Sequence, residues 1–224
     1  TYAILFWVEA GIPYEPSPKP RAADLWKSAA EISRNRPFVL FELAFMVYGL
    51  GFTLIIPAVP VYLLGTLHFS YAQMSLAQGL FAQGAILVLT PIAGRIFDRI
   101  DIWVAATFSF GILLFYPLCF FLSYLFASPA LAYLGYFFSS LGLVGVNFLW
   151  NLGTMHFSGK PSESYLYQGF HISLAGIRGV AGPLLGLLIL STIGVQWNFG
   201  ISMVLFALSS LLSLSMVRRG RAAS

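Results

Sequence analysis

Long apolar stretches separated by short polar breaks dominate the chain. Six stretches, at residues 38–64, 72–95, 102–126, 130–157, 165–192 and 196–217, each reach the roughly 20 residues that a helix needs to cross a bilayer. They lack the alternation and the roughly 10-residue length of barrel strands. Helices also satisfy every backbone polar group within one segment, as lipid requires. The breaks at 65–71, 96–101, 127–129, 158–164 and 193–195 are short enough to force antiparallel neighbours. The expected fold is an all-α membrane protein with a six-transmembrane-helix bundle at 38–217.

Polar side chains inside these stretches fall on narrow faces when plotted at 100° per residue. Glu42, Gly49, Thr53 and Pro60 share one line of the first span. Gln73, Gln83 and Thr90 lie within about 100° on the second, while Gln78 points elsewhere. Asn147, Asn151 and Thr154 cluster on the fourth, and Gln168, His171, Ala175, Arg178 and Gly182 on the fifth. The third span has no ionisable or amide side chain, and the sixth has only Asn198, near its start. The order wet, wet, dry, wet, wet, dry repeats every three helices, which predicts two three-helix repeats and a polar interior shared by four spans.

The segment before the first span has a different character. Residues 1–8 are apolar but too short to cross, and read as the end of a preceding helix, with a short hydrophobic terminus as the plainer alternative. Residues 9–37 read as a cytoplasmic linker. Pro13, Pro16, Pro18 and Pro20 make a stiff spacer, and Leu25, Trp26, Ala29 and Ile32 form the apolar face of a basic amphipathic helix suited to lipid headgroups.

Composition and charge narrow the class further. Hydrophobic types make up 58% of the 224 residues and charged types 9%, with a mean hydropathy of +0.83. That leaves too little polar surface for a soluble enzyme or a nucleic-acid-binding domain. The single Cys119 excludes disulfide scaffolds and cysteine-based metal sites. Of the twelve Lys and Arg residues, eleven fall before the first span, in the second and fourth connections or in the tail at 218–224, and none in the opposite connections. The positive-inside rule makes that face cytoplasmic, so the net charge of +4 needs no nucleic-acid partner. The exception, Arg178, lies inside a span. Compact connections without an NxS/T site fit a bacterial inner membrane.

Two local patterns then carry a resemblance. Gly94-Arg95-Ile-Phe-Asp98-Arg99 stands in the second connection, and Gly182-Pro183-Leu-Leu-Gly186 in the fifth span. With the wet and dry order, the chain resembles the C-terminal half (helices 7 to 12 and the central linker) of a major facilitator superfamily (MFS) transporter. The first pattern is similar to the family's cytoplasmic GxxxDR signature, although Asp101, Ile102 and Trp103 replace the glycine and basic residues that normally follow. The resemblance implies that Gly94, Arg95, Asp98 and Arg99 act at a cytoplasmic gate. The second pattern is similar to the family's antiporter Gly-Pro motif, normally found in helix 5, and points toward efflux antiport. Gly179, Gly182, Pro183 and Gly186 would serve packing and bending there, with or without a part in transport.

The implied function is secondary active transport of a small organic solute by alternating access, with a proton gradient as energy source and no cofactor or bound metal. Glu42, Gln73, Gln83, Asn147, Asn151, Gln168, His171 and Arg178 are the candidates for substrate contact or coupling. A mid-membrane Arg178 needs an anion or water, and a substrate carboxylate or phosphate, an acid from the N-terminal half, or a permanent ion pair would each serve. Low dielectric favours a protonated carboxyl, which makes Glu42 a candidate proton carrier; pairing with Arg36 at the interface is the alternative. His171 suits a proton relay or a structural hydrogen bond. The amides suit polar solutes or helix-to-helix bonds. Partners would be lipid, the solute, and an N-terminal six-helix half in the same or a separate chain, or a second copy. Among rival readings, Gly200-Ile-Ser202-Met203 lacks the final glycine of an intramembrane serine protease, and no P-loop marks an ATP-driven pump. A non-transporting MFS-like subunit or assembly factor of a larger membrane complex keeps the fold and drops the transport.

Overall fold

The computed structural model describes residues 29–160 and 163–223, the last four by backbone alone. The expected helix end at 1–8, the proline spacer and most of the linker helix, with Leu25 and Trp26, lie outside the described residues. Six helices are long and apolar enough to cross a membrane: α1 Arg36–Gly65, α2 Tyr71–Phe97, α3 Ile102–Phe126, α4 Pro129–Ser158, α5 Ser164–Thr192 and α6 Val195–Arg219. No strand occurs among the described residues. The helix of α6 continues to Ala223.

Local chemistry sets the helix ends and breaks. Asn35 caps α1 by accepting from the Phe38 amide, and Asp101 caps α3 by accepting from the Trp103 and Val104 amides. Within α1 the regular helix stops at Ile55 and resumes at Ala58, because Pro57 has no N–H to give the carbonyl of Thr53. Within α2, residues Ala77–Gly84 widen into a π-helix, which the periodicity of the sequence does not announce.

The packing pattern is that of two interlocked repeats. Helix α1 packs against α5 and α6, α4 packs against α2 and α3, and α3 packs against α6. Exchanging α1 with α4, α2 with α5 and α3 with α6 leaves this pattern unchanged. Each repeat's first helix is therefore held by the second and third helices of the other repeat. In addition, α5 touches α4.

In lipid the hydrophobic effect does not drive helices together, so close approach and hydrogen bonds must do so. Antiparallel α3 and α4 use close approach: Gly145 lies under Ser109, Gly142 under Leu113 and Gly135 under Phe120. Antiparallel α1 and α6 use hydroxyls. Ser209 donates to the Ala44 carbonyl at 2.7 Å and Ser202 to that of Gly51 at 2.9 Å, while the Asn198 amide donates to Leu54 at 3.2 Å. The same Asn198 amide also donates to the Gly186 carbonyl at 2.9 Å, which ties the break in α1 to α5.

Helix α5 meets α1 through Gly182 and Gly186. A Cβ on Gly182 would overlap Thr53, and one on Gly186 would overlap the Leu54 carbonyl and crowd Pro57. The inclusion of Gly179 in this packing surface is corrected. It stands off the line of Arg178, Gly182 and Gly186, and open space surrounds its Cβ direction. Pro183 sits inside an otherwise continuous helix. Gly182→Val is expected to cost about 1–3 kcal/mol through overpacking, read as a lowered unfolding midpoint of the detergent-purified protein. Gly179→Val should leave that midpoint nearly unchanged.

Candidate functional site

Glu42 faces His171, Gly49 faces Arg178, Thr53 faces Gly182 and Pro57 faces Gly186; the members of every pair are 129 residues apart. A constant offset means that α1 and α5 run parallel and in register. The polar line of α1 and the polar stripe of α5 are thus turned toward each other. This corrects the expectation that both faced a shared water-filled interior: Glu42, His171 and Arg178 are all buried.

Glu42 Oε1 and His171 Nδ1 are 2.7 Å apart. The alternative in which Arg36 held Glu42 is thereby replaced. Trp150 of α4 and Phe45 of α1 stand edge-on to the imidazole, with ring centroids 4.4 and 4.7 Å away. Glu42 Oε2 and His171 Nε2 are buried and have no hydrogen-bond partner among the described residues. A polar atom buried without a hydrogen bond is costly. Toward the end of the bundle where α1 begins, Phe38, Phe41, Phe157 and Tyr167 form an aromatic layer, with centroid separations of 4.7 Å for Phe38–Tyr167 and 5.2 Å for Phe41–Phe157. Asn35 closes that layer by donating to the Phe157 carbonyl and to the Tyr167 hydroxyl.

Two turns further along α5, Arg178 donates from Nη1 to the Phe45 carbonyl at 2.6 Å. Its guanidinium carbon lies 5.3, 5.1 and 5.9 Å from the ring centroids of Phe45, Tyr48 and Trp150, within cation–π range. Gly49 makes this position possible, because a Cβ there would overlap the guanidinium. No carboxylate among the described residues pairs with Arg178.

The other candidates divide. Gln168 accepts a 2.6 Å hydrogen bond from Thr154, joining α5 to α4. Gln83, Asn147 and Asn151 are exposed, and Asn151 returns a hydrogen bond to the Asn147 carbonyl of its own helix. Gln73 has a structural job at the start of α2. Its side chain accepts from the Ser70 amide at 2.8 Å while Ser70 Oγ accepts from the Gln73 amide, a capping box. The spacing Ser70-x-x-Gln73 carried that signal. A Cβ on Gly94 would meet the Phe148 ring at 3.5 Å, an ordinary contact; Asp98 caps α2, and Arg95, Asp98 and Arg99 are exposed without an ion pair among the described residues. Behind this connection lies a groove of about 410 Å³ between Phe97, Asp101, Leu149, Met155 and His156, and it contains none of the sequence-derived candidates.

Sequence reasoning missed the aromatic enclosure of Phe45, Tyr48 and Trp150. It also missed the donors Ser202 and Ser209, although Asn198, Ser202 and Ser209 recur on one helical face.

Six membrane-length helices in two interlocked triplets, with buried ionisable groups between the first and fifth, define a half of the kind found in polytopic transporters. The sequence profile described as the Major Facilitator Superfamily matches residues 2–165, well over half the chain, and the chain belongs to that superfamily. No curated protein and no solved structure matches it.

Stranding one partner of a buried pair costs about 3–5 kcal/mol, whereas replacing both by apolar groups is often neutral or better. Glu42→Leu or His171→Leu alone is therefore expected to destabilise the protein more than the Glu42→Leu/His171→Leu double variant does, as read from denaturant midpoints in detergent.

Proposed function

We propose that the chain forms, with a second six-helix half, a secondary active transporter that moves a small organic solute by alternating access and is driven by protons. The second half is an N-terminal half in the same or a separate polypeptide, or another copy. The observation that carries this reading is the buried Glu42–His171 pair, each side chain having an atom without a hydrogen-bond partner among the described residues. A buried ionisable pair is a costly way to hold two helices together, and intramembrane groups of this kind mark ion pathways.

The chemistry asked of the pair is proton binding and release. With one proton shared across the 2.7 Å contact and none on Glu42 Oε2 or His171 Nε2 the pair carries a net charge of −1, and a second proton on either of those atoms brings it to zero. Water reaches those atoms when α5 and α1 separate, and the aromatic layer of Phe38, Phe41, Phe157 and Tyr167 lies between the pair and one end of the bundle. The basic end is cytoplasmic in this reading, in a bacterial inner membrane, and Gly94, Arg95, Asp98 and Arg99 act at the gate there.

The test uses the full-length protein in proteoliposomes with an internal pH-sensitive dye and a panel of small organic solutes. Wild-type protein is expected to show solute-dependent proton flux, and Glu42→Gln and His171→Gln to fall to the empty-liposome background. Full flux in the Glu42→Gln/His171→Gln double variant would remove the pair from coupling. A wild-type protein that moves no protons with any solute and co-purifies with fixed membrane partners would instead fit a non-transporting subunit.

A further inference from the structure

The groove behind the α2–α3 connection takes no part in the α1–α5 seam. It holds about 410 Å³, within the range of small-molecule pockets. Its two ends differ in chemistry. Helices α3 and α4 are antiparallel, so Asp101 at the start of α3 and His156 near the end of α4 line the same end of the groove, at the basic end of the bundle. One turn along α3 and two turns back along α4, the buried Ala105 and Leu149 form an apolar floor. Leu152 and Met155 continue that lining on α4. Phe97, stacked on Phe148 with ring centroids 5.0 Å apart, faces the groove from α2. Seven residues of helix separate Leu149 from His156, so the apolar part runs about 10 Å.

Asp101 supplies the one carboxylate on this lining, and no Lys or Arg lines it. Both capping bonds, from the Trp103 and Val104 amides, go to Oδ1, which leaves Oδ2 for another donor. Asp101 has no ion-pair partner among the described residues, although Arg95 and Arg99 stand in the same connection. A carboxylate beside apolar walls favours a cation that carries its own apolar surface. A metal ion would find one carboxylate and one imidazole, and no cluster of three such ligands occurs among the described residues. We infer that the groove binds an organic amine, with a primary ammonium on Asp101 Oδ2 and an apolar body lying along Leu152 and Met155 toward Ala105 and Leu149. The neutral imidazole of His156 accepts a second N–H of the same ammonium. Met155, unbranched and flexible, adapts to bodies of different shape. A molecule seated there bridges Phe97 and Ile100 to α4, and so braces the connection that carries Asp98 and Arg99. The site is separate from Glu42, His171 and Arg178, and the inference is independent of the proton-coupled reading.

The experiment is calorimetric titration of the full-length detergent-purified protein at neutral pH with phenylbutylamine, using protein-free micelles as the blank. Phenylbutanol and phenylbutyrate, which keep the same apolar body, serve as the uncharged and anionic controls. Expected results are saturable binding of the amine, roughly fivefold tighter than the alcohol, and no binding of the carboxylate. Asp101→Asn keeps a helix cap and removes the charge. It should lower the amine's affinity to that of the alcohol while leaving the unfolding midpoint close to wild type. Leu152→Trp, at an exposed position, should fill the groove and abolish binding of both. Absence of saturable amine binding to the folded wild-type protein, the result expected if the second half covers the groove, would overturn the inference. Equal affinity for amine and alcohol would do the same, as would unchanged amine binding by Asp101→Asn or by Leu152→Trp.

Discussion

The contact between α1 and α5 is the constraint on which the rest of the site depends. Its four rungs combine two kinds of contact with opposite energetics. Gly182 and Gly186 bring the backbones together, and Asn198 bonds to both helices at the same level. Such close packing is what holds helices in lipid, where burying apolar surface gains nothing. The other two rungs place Glu42 against His171 and Arg178 against Gly49, ionisable groups whose desolvation works against stability. One half of the seam is built for adhesion and the other carries ionisable groups, and the second stays buried because the first holds.

Rings do most of the work around the charged groups. Phe45 and Trp150 each pack against both the imidazole and the guanidinium, and their faces accommodate a cation without neutralising it. The Gly49 site shows the same economy: by lacking a side chain, it lets a long cationic one from another helix reach a backbone carbonyl. Neither feature involves a polar residue on α1 at that level. A search of the sequence for charged or amide positions passes over both.

The architecture was legible because lipid imposes one rule on every crossing, and the runs of apolar residues obey it without exception. The stripes were legible for a related reason: Glu42, Gly49 and Thr53 on one helix, and His171, Arg178 and Gly182 on another, keep helical spacing. What they face was not legible. A polar stripe looks the same in sequence whether it meets water or another polar stripe, and only the fold shows that these two meet each other. Asn147, Asn151 and Gln83 keep similar spacing and are exposed. Gln73 was misread because its amide serves its own helix end, a local role visible in Ser70-x-x-Gln73. The π-helix at Ala77–Gly84 has no signature in hydropathy, since widening a turn changes the winding and leaves the composition untouched.

The constant 129-residue offset along the α1–α5 seam also limits how the gene can change length. Residues added or removed in the connections at 66–70 or 193–194 would alter a turn at the bundle's edge. A single codon gained between positions 42 and 57, or between 171 and 186, would rotate every later rung by about 100° relative to its partner. The glycines would then meet bulk, and the ionisable groups would part. Within those two stretches the reading is in lockstep, and spacing matters as much as residue identity.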